Sequence, residues 1–216
     1  MHNTVKNLIY IEELIKSKAN HDELAKIIAV SKTFPIEKVL PLIEHGHLHY
    51  GENKVQEAID KWSDIKLKNN AIKLHLIGRL QTNKVKFALQ IFDYIHSLDS
   101  ERLAIKISEQ QIKQEKKAKI FIQVNIGNED QKSGINKDNL VDFYKSCKNL
   151  NLDIIGTMCI PPNDGNVEKY FSEMNKINQE LNFKELSMGM SGDYQEAIKN
   201  NATYIRVGSK IFGNRS

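Results

Sequence analysis

The sequence predicts an α/β fold in a single domain, and within that class a (β/α)8 TIM barrel. Three observations carry the prediction. Eight short apolar runs alternate with amphipathic runs, the pattern of a parallel sheet joined by crossover helices. The runs are close to continuously apolar, as buried parallel strands are. At 216 residues the chain is near the about 250 residues typical of such barrels, and no linker, low-complexity segment or repeat stronger than the strand–helix period interrupts it. An open doubly wound sheet would show the same alternation. The two differ in where function sits, because a barrel gathers every strand's C-terminal end around one mouth.

The elements follow in order. Leu8, Ile11, Leu14 and Ile15 recur at helical spacing, so the chain opens on a helix. Strands are expected at 26–31, 48–52, 73–78, 94–98, 119–126, 152–158, 183–188 and 202–208. Helical patterns lie between them at 35–44, 52–61, 83–90, 100–113, 137–148, 166–181 and 192–200. Trp62, the only tryptophan, falls just past one of these patterns and is expected to pack.

Composition excludes several classes. Hydrophobic residues make up 40% and charged residues 27%, ordinary for a globular protein. The formal charge is +4, and the basic residues, mostly lysine, are scattered, which argues against nucleic acid as a partner. The densest run, Lys113 to Lys119, reads as a solvated helix end. Cys147 and Cys159 form no disulfide framework and have no metal-ligand spacing, which fits a reducing cytoplasm. No apolar run approaches the ~18 residues of a membrane span, and the N-terminus lacks a signal-peptide pattern. The expected location is therefore cytoplasmic, with no membrane partner, and the sequon at Asn201 carries no meaning there.

The strand ends carry the chemistry. In "IIAVSKT", strand alternation puts Ile28, Val30 and Lys32 on one face, so if Val30 points into the barrel, Lys32 points into its mouth. In "ATYIRVGS" the same counting groups Ala202, Tyr204 and Arg206. Glycine and serine cluster on the last two units. Ser187, Gly189, Ser191 and Gly192 are read as following the seventh strand, with Ser191 as a helix N-cap and Asp193 in the first turn, and Gly208 and Ser209 follow the eighth. Backbone N–H groups at such turns bind phosphate, and the loops after strands seven and eight are a frequent phosphate site in barrels. A lysine, an arginine and a phosphate cradle together suit pyridoxal 5′-phosphate (PLP). The amine condenses with the aldehyde, the cradle holds the phosphate, and the arginine meets the pyridine nitrogen.

The segments "AVSKT", "HYGENKVQEA", "HLIGRLQTNK", "IHSLD", "QVNIGNEDQKSG", "SMGMSGDYQEAI" and "RVGSKIFG" give the chain an end-to-end resemblance to the YggS/PROSC family of PLP homeostasis proteins. The resemblance implies that residues 1–216 form one PLP-binding barrel domain, like the N-terminal domain of bacterial alanine racemases. It implies that Lys32 carries PLP as an internal aldimine (a Schiff base), that Ser191, Gly208 and Ser209 contact the phosphate, that Arg206 meets the pyridine nitrogen, and that Asn53 lines the pocket. The family's usual "FGEN" is here "YGEN", its "WHFIG" is "LHLIG", and the terminal "FGNRS" stops slightly early. None of these touches the lysine or the cradle.

Other residues take plainer readings. His45, His47 and His49 could form a metal cluster, but no carboxylate or cysteine is arranged with them, so they read as ordinary surface or strand-end histidines. His75 reads as a satisfied core or mouth residue. Lys132 could receive PLP in transit, against the plainer reading of a solvated loop lysine.

Two functions compete. One is a carrier that buffers PLP and delivers it to apo-PLP enzymes, acting as a monomer and not as an enzyme. The other is a racemase-like enzyme acting on a small amino acid. Alanine racemases take a second acid/base group from an additional β domain, and this sequence ends after its eighth unit. A guanidinium at the pyridine nitrogen also disfavours its protonation and weakens the ring as an electron sink. Both points favour the carrier. A purely structural module would leave the lysine, arginine and cradle unexplained.

Overall fold

The computed structural model describes residues 1–18, 24–129 and 131–214. Asp130 of the "NEDQKSG" segment, and Arg215 and Ser216 of the terminal "FGNRS", lie outside the described residues.

The strands are β1 (Lys26–Val30), β2 (His49–Glu52), β3 (Lys73–Leu76), β4 (Tyr94–Leu98), β5 (Lys119–Asn125), β6 (Ile135–Asn136), β7 (Asp153–Cys159), β8 (Glu185–Met190) and β9 (Tyr204–Val207). All pairings are parallel. The order β4-β3-β2-β1-β9-β8-β7-β5 closes on itself through β4–β5, making an eight-stranded barrel. β6 is a two-residue addition to β5, which the sequence reading did not anticipate. The helices are α1 (Asn3–Lys18), α2 (Leu40–Glu44), α3 (Val55–Lys68), α4 (Val85–Ile91), α5 (Glu101–Gln114), α6 (Leu140–Asn149), α7 (Val167–Glu180), α8 (Tyr194–Lys199) and α9 (Ser209–Phe212).

The expected helices appear with shifted ends, and the reasons are local. β2 runs on through Glu52, so α3 starts only at Val55 and then continues past Trp62, which sits inside the helix and is completely buried. Short 3-10 turns at Ile36–Lys38, Thr82–Lys84 and Lys137–Asn139 precede α2, α4 and α6 and use up the first residues of the expected helical spans. α5 begins where its cap dictates: the Ser100 hydroxyl accepts from the Leu103 N–H.

Two apolar layers hold the barrel. The larger lies between strands and helices, and α1 contributes Leu8, Ile11 and Ile15 to it. The smaller fills the barrel interior with Ile28, Val30, Tyr94, Phe121, Met158 and Tyr204. Ile28 and Val30 are interior, as alternation required. Ala202 is not: β9 begins only at Tyr204, and Ala202 packs in the outer layer. The pairing of β1 with β9 sets Ile28 opposite Arg206, so the lysine and arginine strands are neighbours in the barrel wall.

Candidate functional site

Lys32 follows β1 at the barrel mouth. The Ser31 N–H donates to the Gly51 carbonyl at 3.0 Å and carries the β1–β2 ladder one residue further. Beyond the lysine the backbone turns sharply, with Thr33 at φ 68°, a left-handed conformation costly for a β-branched residue. Both neighbours of Lys32 are anchored. The Ser31 hydroxyl donates to Glu52 Oε1 at 2.8 Å, and the Ser31 carbonyl accepts from Lys61 Nζ at 3.0 Å. The Thr33 N–H donates to Glu57 Oε1 at 2.8 Å. Glu52 is fully buried, and its Oε1 also accepts from Lys61 Nζ at 2.9 Å and Trp62 Nε1 at 3.0 Å. A charged cluster behind the strand thus fixes the backbone that presents Lys32.

Arg206 lies on β9, buried at 4% exposure. Its guanidinium donates to Ser187 Oγ at 2.7 Å and to the Cys159 carbonyl at 2.8 Å. Burial pushes its pKa down from the ordinary value, with Cys159 and Asp193 opposing. A guanidinium starts so high that it stays charged. Burial also pushes the Cys159 thiol up to about 12, so it is no reactive thiolate.

The glycine–serine segment differs from its expected form. Ser187 lies within β8, as the expected strand 183–188 has it and not after the strand as its grouping with the loop implied, and the strand runs on through Gly189 to Met190. Gly189 has φ +87°, and an added Cβ would sit 2.5 Å from the Ala197 side chain, so only glycine fits. Ser191 is not the cap of α8; Asp193 holds that position and accepts from the Met190 N–H. Ser191 Oγ instead accepts from the Gly208 N–H at 3.1 Å and ties the loop after β8 to the loop after β9.

Lys32, Ser191, Arg206, Gly208 and Ser209 line one cavity of about 470 Å³, with Val30, Phe34, Ile77, Ile160 and Met190 as its apolar wall. Asn53 does not line it. Asn53 packs against Gly78, and its Oδ1 is a buried acceptor without a hydrogen-bond partner among the described residues. A larger cavity of about 750 Å³ shares Ser191 and Gly192 but runs along α1 and α8. It contains neither Lys32 nor Arg206, so the smaller one is the candidate site.

The donor set fits PLP. An amine suited to an aldehyde, a fixed cation for a ring nitrogen, hydroxyl and backbone groups for a phosphate, and an apolar wall for a ring face one volume.

Lys132 stays outside the cavity. Its Nζ pairs with Glu129 and donates to the Pro161 carbonyl. Among the described residues, no group of three or more His, Cys, Asp and Glu could hold a metal ion. No helix among them is long and apolar enough to cross a membrane.

Residues 11–216 match the family model described as alanine racemase, N-terminal domain. The chain belongs to this family. The pyridoxal phosphate homeostasis protein of Pasteurella multocida is 35% identical, with 95% of this chain and 93% of that protein covered. The protein of the same name from Aquifex aeolicus is 36% identical over the same shares. Among solved structures, PipY of Synechococcus elongatus with PLP bound superposes with TM-score 0.87 at 30% identity, covering 97% of this chain and 100% of PipY. Alanine racemase of Clostridium difficile, at 15% identity and TM-score 0.76, shares the fold, and this chain spans 57% of its length. These relatives place the chain with the PLP homeostasis proteins.

Sequence reasoning missed Glu52, Lys61 and the Cys159 carbonyl, and it grouped Ser187 with the cradle and not as the acceptor of Arg206. One signal was available for Ser187. It is a polar residue that alternates with Leu186 and Met188, which pack in the outer layer, so strand alternation turns it toward the barrel interior.

Proposed function

We propose that this protein binds PLP, holding it covalently through the Lys32 amine, and acts in the cytoplasm as a carrier that buffers PLP and passes it to apo-PLP enzymes. Residues 1–216 serve as one PLP-binding domain and the working unit is a monomer. The observation that carries the reading is that Lys32, Arg206 and the Ser191–Gly208–Ser209 cradle line a single cavity. The naming of relatives at 35% and 36% identity as PLP homeostasis proteins supports it. When bound, PLP supplies an aldehyde to the amine and an electron-withdrawing ring. Ser191, Gly208 and Ser209 hold the phosphate, and Arg206 meets the pyridine nitrogen.

A carrier is favoured over a racemase by the cavity's own chemistry. Among the described residues that line it, no His, Tyr, Asp, Glu or Cys stands beside Lys32 as a second proton donor or acceptor. Such a group typically contributes about 10²–10⁴-fold to proton abstraction. A charged guanidinium at the ring nitrogen also disfavours its protonation.

Borohydride reduction of the PLP-loaded protein, followed by peptide mass mapping, should label Lys32, and Lys32→Ala should abolish the label. Full labelling at another lysine refutes the anchor. Solvent deuterium incorporation at the Cα of alanine should be slow while apoenzyme activation proceeds. Rapid exchange dependent on Lys32, over many turnovers, would replace the carrier with a racemase-like enzyme.

A further inference from the structure

The barrel interior carries a column of polar side chains that the cofactor reading does not use. His49 Nδ1 lies 2.9 Å from His75 Nε2, His75 Nδ1 lies 2.9 Å from His96 Nε2, and His96 Nδ1 lies 2.9 Å from Ser187 Oγ. Ser187 Oγ in turn accepts from Arg206 at 2.7 Å. The column starts at His49, the half-buried first residue of β2, and ends on the arginine that lines the cavity. His75, His96 and Ser187 are buried at 0% exposure. Stacking on Tyr94, with centroids 4.2 Å apart, fixes the His75 ring, and stacking on Phe121 at 4.2 Å fixes His96.

The direction of every bond follows from one end. A guanidinium only donates, so Ser187 Oγ accepts from Arg206, and its single hydrogen then goes to His96 Nδ1. His96 must carry its proton on Nε2, which donates to His75 Nδ1. His75 likewise carries its proton on Nε2 and donates to His49 Nδ1. The reverse order would leave the buried Ser187 hydroxyl hydrogen without an acceptor, the costly case for a buried donor. Burial holds His75 and His96 well below the ordinary imidazole pKa, so both are neutral. Among the described residues no carboxylate lies within ion-pair distance of Arg206. A file of neutral dipoles, each turning its acceptor toward the guanidinium, stands where a counter-ion would otherwise be needed, and aligned hydrogen bonds polarise one another.

We propose that His49, His75, His96 and Ser187 form a one-way relay of hydrogen bonds through the barrel core, and that they are positioning residues which fix the guanidinium of Arg206 at the cofactor cavity. The role of Arg206 toward the pyridine nitrogen rests on the function proposed above. The relay and its hold on Arg206 do not.

The test uses the full chain without cofactor, with histidine and arginine nitrogens isotopically labelled for NMR. At neutral pH, His75 and His96 should both appear as neutral Nε2–H tautomers. An Nδ1–H tautomer or an imidazolium at His96 overturns the relay, and this measurement needs no variant. Ser187→Ala should speed hydrogen exchange at the Arg206 guanidinium by about tenfold or more, the scale for losing a hydrogen bond to a charged group. His96→Phe, which keeps a ring against Phe121, should act in the same direction, while the exposed His45→Gln should change nothing. Unchanged exchange in both interior variants overturns the positioning role. In the PLP-loaded protein, the same two variants should shift the absorbance maximum. A parent protein that takes up no PLP refutes the cofactor reading alone, because the tautomers and exchange rates still decide the relay.

Discussion

At the end of β1, Lys32 is located through its neighbours: Ser31 and Thr33 are tied to Glu52, Glu57 and Lys61, charged groups on β2 and α3. On the adjoining strand β9, Arg206 is located through its own guanidinium, held by a neutral hydroxyl and a neutral carbonyl. The contrast fits the roles proposed for the two groups. In that reading the backbone on both sides of Lys32 is held by hydrogen bonds so that the side chain is presented to the cavity. The Arg206 head group is fixed directly so that it can meet a ring. A carboxylate paired with that guanidinium would cancel the charge that the ring nitrogen is to feel, whereas neutral acceptors orient it and leave the charge in place.

The lysine clamp is the charged one, so breaking it should have the larger effect. Lys61→Met leaves the buried Glu52 carboxylate without its cation, and removing one partner of such a pair costs about 3 kcal/mol. The denaturant midpoint measures it. A loss within ~0.5 kcal/mol, the ordinary scatter for surface changes, would mean that the Ser31 and Trp62 hydrogen bonds hold Glu52 unaided.

Acid should separate the two regions next. Burial lowers His47 and His49 from 6.5 to about 4, and His75 and His96 well below 6.5. The unfolded chain binds protons at these histidines before the folded one does, so stability falls as pH drops below about 6.5 and keeps falling toward about 4. Equilibrium unfolding as a function of pH should show that slope, and His96→Phe should flatten it. A slope that the variant leaves unchanged would assign the acid sensitivity to groups outside the barrel interior.

The smallest effect belongs to the cradle shared by the last two loops. Ser191→Ala removes the hydroxyl proposed to meet the phosphate, together with the acceptor of the Gly208 N–H, and should weaken PLP retention by about 1–2 kcal/mol, on the scale of one hydrogen bond to a charged group. Equilibrium dialysis against PLP and against pyridoxal without the phosphate measures it. Equal binding of the two ligands would remove the cradle from the account.

The sequence by itself determined the alternation of elements, the α/β class and the positions of Lys32 and Arg206, because period-two and period-3.6 patterns are local and a cation within an apolar strand is conspicuous in one dimension. Alternation alone left a barrel and an open sheet alike, and the β4–β5 pairing decided for the barrel. The sequence misjudged Ser191, whose hydroxyl suits a helix cap, because the competing acceptor role toward Gly208 exists only once β8 and β9 lie side by side. It passed over Glu52 and Lys61 for the same reason, since their partner Ser31 is on another strand. His49, His75, His96 and Ser187 come from β2, β3, β4 and β8, and His96 and Ser187 are 91 residues apart. Closure of the barrel alone brings them into one column, because hydrogen bonds act over about 3 Å in space and leave no mark on the spacing of residues along the chain.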